Sequence, residues 1–586
     1  VNNTFLDPTS TTNGYAVFGR VIQGWDVVTT IQALRSLDMT GNASFSGADG
    51  ASAMNEFPVA NSYVTGQPLA TRDMVRIINA EVIKPANVSG FFAQRLVMPE
   101  GFRSPNTTET VELYNPNTTS ATYQVIVRFE TGLRDRVVAS GTISPGGTLR
   151  VRLSDSGDST LNAVRANTPY SVVVETALPN GTPDPRPISA SMNRVDYNAA
   201  TSQGFFNAAG YTDNQLKTWD FAHIERGQLS REYLTWVNLS DDAGIVTVTL
   251  TTGASPQVFR FDLGPYRRGG MALADYPILS AGIRSARITS TVPIVAFASD
   301  WDIPAQGQPV ATSYTPGFGT MGLPGGGATA GGVADVVMRA NHVSAVSLFN
   351  PGTTFASVTL RFWRTGRAQS EAPISRVQFV PAGGRFDYTL VSGDLGIPLG
   401  ETFTITYSSG TTPIVAQYTF VDTEGRNLAG TKRNDGDTLM LTTRLAPTTY
   451  FPDGYLDSSR LDGGTQSERI TLFNVFASND WTFSYIIRYH FTDGTSIDAF
   501  TGTLAPNARA EFSTLSSNAV RTKISASSQF QHYAISVICS ATSGSTTTQV
   551  SALAMLTRQD TGTGKMVATS GAASGFGFAF NDPMFQ

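Results

Sequence analysis

Residues suited to acid–base or metal chemistry are few in this chain and lie far apart. Its four histidines, His223, His342, His490 and His532, have neither an HExxH arrangement nor a metal-ligand spacing. The G-x-S-x-G sequence that would hold a serine nucleophile on a sharp turn does not occur. Residues 562–565 follow part of a phosphate-loop pattern, but Met566 occupies the required Ser/Thr position. We therefore predict no catalytic residue, no metal site and no cofactor.

Three weaker patterns leave a calcium or glycan contact open as a secondary alternative. Residues 155–158 and 434–437 are acidic turns with part of a calcium ligand series, and ordinary turns explain them better. Candidates for a sugar platform lie on alternating strands, where core positions are expected: Trp236, Trp301, Trp363 and Trp481. Chance explains most glycosylation sequons in so Asn- and Thr-rich a chain, among them those at Asn106, Asn117 and Asn238.

Composition excludes several classes of partner. The 586 residues carry a net charge of −5, only 15% are charged, and there are 55 glycines and 30 prolines. Such a nearly neutral chain has no electrostatic footprint for nucleic acid or an anionic membrane. No apolar run approaches the ~18 residues of a membrane span, so membrane insertion is not expected. The composition is typical of a secreted β protein, which predicts an extracellular or cell-surface location.

The single cysteine, Cys539, lies in the apolar run AISVICSA and excludes an internal disulfide. This run predicts a small buried side chain on a strand.

The elements that must position any site repeat from about residue 88 onward. An alternating strand that ends in asparagine, then a polar turn and a second alternating strand, recurs at Asn115, Asn238, Asn350 and Asn474. A second anchor is a turn centred on Pro145, Pro265, Pro381 and Pro506. A third comprises the strands NTPYSVVVET, TVPIVAFASD, TTPIVAQYTF and SQFQHYAISV. This period-two alternation predicts half-buried strands in every repeat.

The beginning of the chain differs from these repeats. Residues 3–28, NTFLDPTSTTNGYAVFGRVIQGWDVV, resemble the C-terminal half of a cyclophilin-type peptidyl-prolyl isomerase, and residues 58–83 resemble its closing loop and last strand. The resemblance implies that Phe5, Leu6 and Tyr15 are vestiges of a proline pocket. It also implies that the catalytic arginine of the family lies upstream of this stretch, so the segment lacks its transition-state donor. We therefore expect a protein that is not an enzyme.

These observations predict an all-β fold, a partial cyclophilin-like barrel segment followed by four tandem immunoglobulin-like β-sandwich domains. The repeats also resemble tandem bacterial surface-protein modules. The predicted divisions are a partial cyclophilin-like segment, four repeats and a strand-like tail: residues 1–86, 88–203, 204–315, 316–445, 446–573 and 574–586. The glycines at 325–327 and 331–332 are interpreted as a flexible linker.

A segment rich in glycine and aromatic residues precedes each predicted repeat, beginning at Ser89, Gln203, Pro316 and Thr449. A fifth copy begins at Ser574 with no repeat after it, and it contains Phe576, Phe578, Phe580 and Phe585. Burying each such ring is worth ~1.5–3 kcal/mol. We therefore predict that these four residues contact a neighbouring subunit head-to-tail.

The leading functional expectation is a non-enzymatic extracellular subunit of a bacterial surface assembly that polymerises head-to-tail into a filament. Two alternatives stay open. One is a secreted cyclophilin-type isomerase or chaperone whose catalytic half lies upstream. The other is an adhesin or carbohydrate-binding stalk.

Overall fold

The described part of the chain consists almost entirely of antiparallel strands. The computed structural model describes the residues 36–37, 57–58, 89–90, 94–102, 107–130, 135–153, 169–176, 184–198, 202–213, 215–227, 230–252, 256–302, 317–340, 342–367, 371–422, 436–456, 466–476, 480–526, 532–560 and 571–576. The chain divides into two compact units, one of Val1–Ala86 with Ala177–Asp184 and one of Asn87–Thr176 with Pro185–Gln586.

In the first unit, β1 (Ser36–Leu37) pairs antiparallel with β2 (Phe57–Pro58). The vestigial pocket residues Phe5, Leu6 and Tyr15 lie outside the described residues. The cyclophilin resemblance therefore stays a prediction.

The second unit is built from four successive sets of strands. The first set is β3 (Ser89–Gly90), β4 (Arg95–Met98), β5 (Thr107–Tyr114), β6 (Ala121–Phe129), β7 (Arg136–Ile143), β8 (Thr148–Arg152), β9 (Tyr170–Glu175), β10 (Ser189–Asn198), β11 (Ser202–Ala209) and β12 (Thr212–Asp213). The second is β13 (Thr218–Arg226), β14 (Ser230–Asn238), β15 (Gly244–Thr251), β16 (Gln257–Leu263), β17 (Arg268–Ala272), β18 (Gly282–Ser290), β19 (Ile294–Asp302), β20 (Gly317–Met321) and β21 (Leu323–Pro324).

The third set is β22 (Ala330–Val337), β23 (His342–Phe349), β24 (Ala356–Arg364), β25 (Ile374–Val380), β26 (Arg385–Thr389), β27 (Thr402–Ser408), β28 (Val415–Asp422) and β29 (Gly436–Met440). The fourth is β30 (Thr448–Tyr455), β31 (Gln466–Phe473), β32 (Thr482–Phe491), β33 (Ser496–Thr503), β34 (Arg509–Ser513), β35 (His532–Ser543), β36 (Thr546–Gln549), β37 (Leu553–Asp560) and β38 (Gly571–Phe576). Helices are short: the α-helices Ser392–Leu395 and Asn518–Ala526, and the 3-10 turns Leu273–Asp275 and Thr514–Ser516.

Each set of strands forms two sheets, which we call blades a and b of pairs 1 to 4. From the innermost strand outward, the order is β4-β9-β6-β7 in blade 1a and β11-β10-β5-β8 in 1b, then β21-β13-β18-β15-β16 in 2a and β20-β19-β14-β17 in 2b. The order is β22-β27-β24-β25 in 3a, β29-β28-β23-β26 in 3b, β30-β35-β32-β33 in 4a with β36 beside β35, and β38-β37-β31-β34 in 4b. The short strands β3 and β12 pair separately.

The eight blades close into a ring. Contacts between strands place the blades in the order 1a, 1b, 4a, 4b, 3a, 3b, 2a, 2b and back to 1a. Near the centre, the inner strands β11, β20, β29 and β38 contact one another in turn. Eight radial four- or five-stranded sheets around a centre are the architecture of a β-propeller. Here successive strands switch between the two blades of a pair, since β4 belongs to 1a, β5 to 1b, and β6 and β7 to 1a again.

The prediction of four tandem immunoglobulin-like β-sandwich domains is therefore wrong, because the sheets form an eight-bladed β-propeller. The two faces of β24 show the physical reason. Val358, Leu360 and Phe362 face a dry core inside the pair, and the alternate residues Arg361 and Trp363 face the next pair. The alternation pattern predicts that the polar face of such a strand is exposed to solvent. In the structure another blade covers this face.

Three of the glycine- and aromatic-rich segments close blades, contrary to the prediction that they open repeats, whereas the segments at Ser89 and Thr449 contain β4 and β30, the first blade strands of pairs 1 and 4. The segments around Gln203 and Pro316 contribute β11 and β20, which pair with the preceding strands β10 and β19. In the same way β38 pairs with β37, with Phe576 opposite Met555. The described part of the last segment, up to Phe576, thus has a partner strand in its own chain, and head-to-tail polymerisation stays a prediction. Phe578, Phe580 and Phe585 lie outside the described residues.

Four buried asparagines explain the strongest repeat signal. Asn115, Asn238, Asn350 and Asn474 are each fully buried at the end of a strand. In each case the side-chain oxygen accepts a hydrogen bond from the backbone N–H two residues later, at 3.1, 2.8, 3.0 and 2.9 Å. The side-chain NH2 group donates to nearby carbonyls, for example from Asn350 to Thr354 at 2.7 Å and to Val380 at 3.1 Å. The asparagine thus fixes the chain between the two blades of a pair.

Candidate functional site

Charged side chains gather where one blade pair meets the next. Between blades 3a and 4b, both oxygens of Asp335 accept hydrogen bonds from Arg469, at 2.7 and 3.0 Å. Arg509 approaches the same carboxylate at 3.3 Å, and the Thr557 hydroxyl donates to it at 2.6 Å. The side chains of Asp335 and Arg509 are 1% and 0% exposed. Burial alone would raise the pKa of Asp335, but Arg469, Arg509 and Thr557 outweigh it and hold the pKa below its usual value.

The interface between blades 1b and 4a closes the ring and contains two histidines. The Tyr114 hydroxyl lies 3.1 Å from Nε2 of His490, whose ring also contacts the hydroxyls of Ser496 and Ser536 at 3.0 and 2.9 Å. Burial, with a smaller contribution from Arg488, lowers the pKa of His490 to about 4. The ring is therefore neutral near pH 7, and it serves as a hydrogen-bonding partner between blades.

A second cluster at this interface is centred on Glu112. Burial raises the pKa of its carboxyl to about 7, although Nε of Arg150 lies 3.1 Å away and partly offsets this effect. Arg150 also contacts His532, which stacks on Tyr455 with ring centroids 4.6 Å apart. Burial and the nearby arginines hold the pKa of His532 well below its ordinary value. Glu112 and Arg150 belong to blade 1b, whereas His532 and Tyr455 belong to blade 4a. These contacts therefore hold the two blades together.

The two remaining interfaces follow the same plan. Between blades 2b and 1a, Arg268 donates to the Pro99 carbonyl at 2.9 Å and to Glu100 and Glu130 at 3.1 and 2.7 Å. Between blades 2a and 3b, the Gln417 amide makes two hydrogen bonds with the backbone of His223, at 3.0 and 2.9 Å. The polar clusters at all four interfaces have protein partners and hold blades together.

One cavity, of about 180 Å³, opens between blades 3a and 4b beside the Asp335 cluster. Its apolar floor is formed by Leu445, Phe473, Val475 and Leu553. Polar groups line its walls: Arg361, Thr406, Ser408, Thr442, Thr443 and Asn507. Trp363 and Tyr407 add aromatic surface. The cavity is smaller than the roughly 300–1,000 Å³ of pockets for drug-sized ligands, and it suits one small ring.

Two neighbouring strands position the polar wall. Arg361 and Trp363 are two residues apart on β24 and therefore face the same side. Thr406 and Ser408 lie on the neighbouring strand β27, where Thr406 is the register partner of Arg361. Nη1 of Arg361 donates to the Ser408 hydroxyl at 2.9 Å, and the Trp363 indole donates to the Thr406 hydroxyl at 2.9 Å.

Glycine at the third strand leaves room for the cavity. A Cβ on Gly331 would lie 2.7 Å from the Tyr407 ring, and one on Gly332 would lie 2.8 Å from the Leu553 side chain. Both glycines belong to β22, so the interpretation of residues 331–332 as a flexible linker is wrong. They permit β22 to pack closely against the aromatic ring of Tyr407 and the aliphatic side chain of Leu553.

Two arginines at this cavity differ from those at the interfaces. In the described ranges, neither Arg361 nor Arg367 has a carboxylate within ion-pair distance. Arg367 lies over the Trp363 ring, 5.1 Å from its centroid, and approaches the Asn507 carbonyl at 3.4 Å. By contrast, Arg364 on the same strand pairs with Glu401 at 2.8 Å. The cavity therefore combines aromatic surface, hydroxyl groups and the Arg361 guanidinium, which has no counter-charge among the described residues, and Arg367 lies beside its Trp363.

The other side chains that the sequence singled out have mostly structural places. Trp236 is fully buried, and Trp481 is half-buried against the core of pair 4. Cys539 lies buried in β35, as predicted, and burial raises its pKa to about 12. Asn238 is held by its own turn.

Several other predictions fall outside what the structure describes. These are the side chain of Trp301, the acidic turn 155–158, the sequon at Asn106 and residues 562–566. Of the second acidic turn, Gly436 and Asp437 begin β29, where Asp437 accepts a hydrogen bond from the Thr438 N–H at 2.8 Å. Within the described ranges no three His, Cys, Asp or Glu side chains are grouped as metal ligands. None of the described helices is long and apolar enough to cross a membrane.

Sequence reasoning named Trp363 as a sugar-platform candidate but missed Arg361, Arg367 and the hydroxyls around it. The alternation of β24 placed Arg361 and Trp363 on one face, and that signal was available. No sequence signal indicated that Phe473, Asn507 and Leu553 of the fourth repeat line the cavity. Their contribution depends on the ring bringing blade 4b against blade 3a.

Comparisons with known proteins leave the chain without an assigned family. No family model matches it, and no curated protein matches it. The solved structure of Thermotoga maritima 1070 is 21% identical, covers 21% of this chain and 95% of its own, and has a TM-score of 0.17. A tetra-tandem repeat from the extending region of a large adhesion protein is 10% identical over 84% of this chain and 96% of its own, with a TM-score of 0.09. An α-L-rhamnosidase of Streptomyces avermitilis complexed with L-rhamnose is 11% identical over 75% of this chain and 54% of its own, with a TM-score of 0.10. These low TM-scores assign neither a fold nor a function.

Proposed function

We propose that this protein is a non-enzymatic structural component of an extracellular or cell-surface assembly, in which the propeller acts as a rigid scaffold. The observation that carries the proposal is the use of charged groups at the blade interfaces. Asp335, Arg509 and Arg268 are nearly fully buried, and each is bound to groups of another blade. Groups that are buried and bound to one another in this way fix the positions of the blades, and they are not exposed to a substrate.

Composition supports the same proposal. A chain with only 15% charged residues and a net charge of −5 has no strong field to attract nucleic acid. Scarce lysine and abundant Thr, Asn and Gly are typical of secreted β proteins. A propeller also leaves only short strand edges at its rim, which suits a protein displayed at high local concentration.

Two measurements on native material test this proposal. Intact cells are labelled with a membrane-impermeant biotin reagent, and the surface extract is then weighed by mass photometry under native conditions. We expect labelled protein in particles at least twice as heavy as its own denatured polypeptide from the same extract. Protein found only inside the cell, or at the surface only as free single chains, would contradict a structural role in a surface assembly.

A further inference from the structure

We propose that the cavity between blades 3a and 4b binds a single acidic sugar residue, a hydroxyl-bearing ring with one carboxylate. This goes beyond the scaffold role, since a scaffold needs no ligand. The site is the cavity of about 180 Å³ described above, with Arg361 and Trp363 as its recognising side chains.

The charge of the site selects an anion. The arginines elsewhere at this interface have a carboxylate partner, since Arg469 and Arg509 share Asp335. Arg361 has only the Ser408 hydroxyl, at 2.9 Å, among the described residues. A guanidinium carries five N–H donors, so Arg361 retains donors for a ligand. A carboxylate is the partner whose geometry a guanidinium fits best, through two parallel hydrogen bonds.

The remaining walls select a ring with hydroxyl groups. Thr406, Ser408, Thr442 and Asn507 line the cavity and offer hydroxyl and amide groups. The floor of Leu445, Phe473, Val475 and Leu553 offers an apolar surface for the C–H groups of a sugar ring. Trp363 also lines the cavity, and the Arg367 guanidinium lies 5.1 Å from its ring centroid. A ring that packs against the indole thus finds a second positive charge beside it.

The volume limits the ligand to one residue. A pocket for a drug-sized molecule takes roughly 300–1,000 Å³, well above what is present here. An acidic sugar at the end of a chain, or one side residue of a polymer, fits this limit. The cavity also lies between two blade pairs, so its shape depends on the intact ring.

The experiment is isothermal titration calorimetry of the full chain with D-glucuronate, D-glucose and acetate. We expect saturable binding of glucuronate that is at least about tenfold tighter than that of glucose or acetate. If glucose bound as tightly as glucuronate, the carboxylate would not be recognised. If acetate bound as tightly as glucuronate, the sugar ring would not be recognised. Either result, or the absence of glucuronate binding, overturns the proposal.

Variants then locate the site. Arg361→Gln should weaken glucuronate binding about ten- to a hundredfold, as loss of a charge-assisted hydrogen bond does, and Arg361→Lys should recover part of it. The matched control is Arg376→Gln on the outermost strand of the same blade, where Arg376 donates to the Asp394 carbonyl at 2.5 Å, and it should bind as the parent protein does. Thermal melts confirm that each variant is folded. Unchanged affinity in folded Arg361→Gln protein would overturn the proposal.

Discussion

At the scale of single residues, the buried charged side chains at the blade interfaces hold neighbouring blades together. The carboxylate of Asp335 pairs with two arginines from blade 4b, and Glu511 is a second partner of both. Removing the buried carboxylate leaves part of this positive charge without compensation. Exposed pairs are different, because water screens both partners. The pair Arg488–Asp498, with side chains 37% and 42% exposed, is of this second kind.

A matched pair of substitutions tests this distinction. Asp335→Asn should lower the free energy of unfolding by up to about 3–5 kcal/mol, because the fully buried Arg509 then keeps only the partly exposed Glu511 as a counter-charge. Asp498→Asn should lower it by only ~0.2–1 kcal/mol. Urea denaturation followed by tryptophan fluorescence measures both. Equal losses in the two variants would contradict a structural role for the buried cluster.

Glu112 should give stability a pH dependence of unusual sign. Its folded pKa of about 7 lies above the unfolded value, so the folded state binds this proton more tightly. The stabilisation is therefore complete below the unfolded pKa and is lost as the pH rises through about 7. We expect Glu112→Gln to lose less stability than the parent between about pH 5 and about pH 7.5, by roughly 1–3 kcal/mol.

Denaturation curves at the two pH values provide the measurement. His490 contributes with the opposite sign, because its pKa is lowered and its stabilisation is lost as the pH falls toward about 4. That contribution is common to parent and variant and cancels in their difference. Glu371→Gln, at an exposed position, serves as the control. A pH dependence identical in all three proteins would contradict the assignment to Glu112.

At the scale of elements, some side chains pack so closely over a neighbouring strand that only glycine fits beneath them. Gly269 on β17 is paired with Trp236 on β14, and a Cβ there would lie 2.5 Å from the indole nitrogen. Since Trp236 is fully buried, its ring has little freedom to move away. Gly269 thus leaves the space that the Trp236 ring occupies inside blade 2b.

Substituting this glycine should therefore be costly. Gly269→Ala is expected to destabilise the protein by about 1–3 kcal/mol, through overpacking against Trp236. Gly393→Ala is the control, because Gly393 is exposed in the short helix Ser392–Leu395 and its added methyl meets nothing within 4 Å. That change should be neutral or stabilising by up to about 1 kcal/mol. Thermal unfolding distinguishes the two, and similar melting temperatures would refute the packing argument.

The sequence predicted elements better than their assembly. The four asparagine turns, the alternating strands and the buried position of Cys539 follow from local residue types, and the structure has them. The third anchor was aligned wrongly, because Tyr170–Glu175 belongs to blade 1a whereas Ile294–Asp302 belongs to blade 2b. Similar apolar strands occur in both blades of a pair, and the alternation pattern does not distinguish them.

The ring itself was not predictable from residue types. A strand face carrying Glu112 and Tyr114 has the same composition whether it meets water or another blade. Only the partners Arg150, His490 and His532 show that it is buried, and His490 and His532 come from the fourth repeat. The cavity near Trp363 has the same origin, since its floor is shared between two repeats.

At the scale of the whole unit, ring closure makes each pair depend on two others. Pair 4 covers β5 of pair 1 on one side and β22 of pair 3 on the other. A chain ending at residue 445 should therefore lose protection from hydrogen exchange in β5 and β22, with a smaller change in β16, which lies in pair 2. Hydrogen–deuterium exchange with mass spectrometry measures this. Unchanged protection in β5 and β22 would indicate independent domains.

The interleaving of strands also constrains how such a gene can change. Because the chain passes back and forth between blades a and b, any cut that frees one blade also removes strands from its partner. A single blade therefore cannot be duplicated, deleted or exchanged by recombination, whereas a pair can. Four pairs share one full turn, so each occupies about a quarter of the circle. A descendant that gained or lost one pair would have to change the angle at every remaining junction, which ties the copy number to the ion pairs between neighbours.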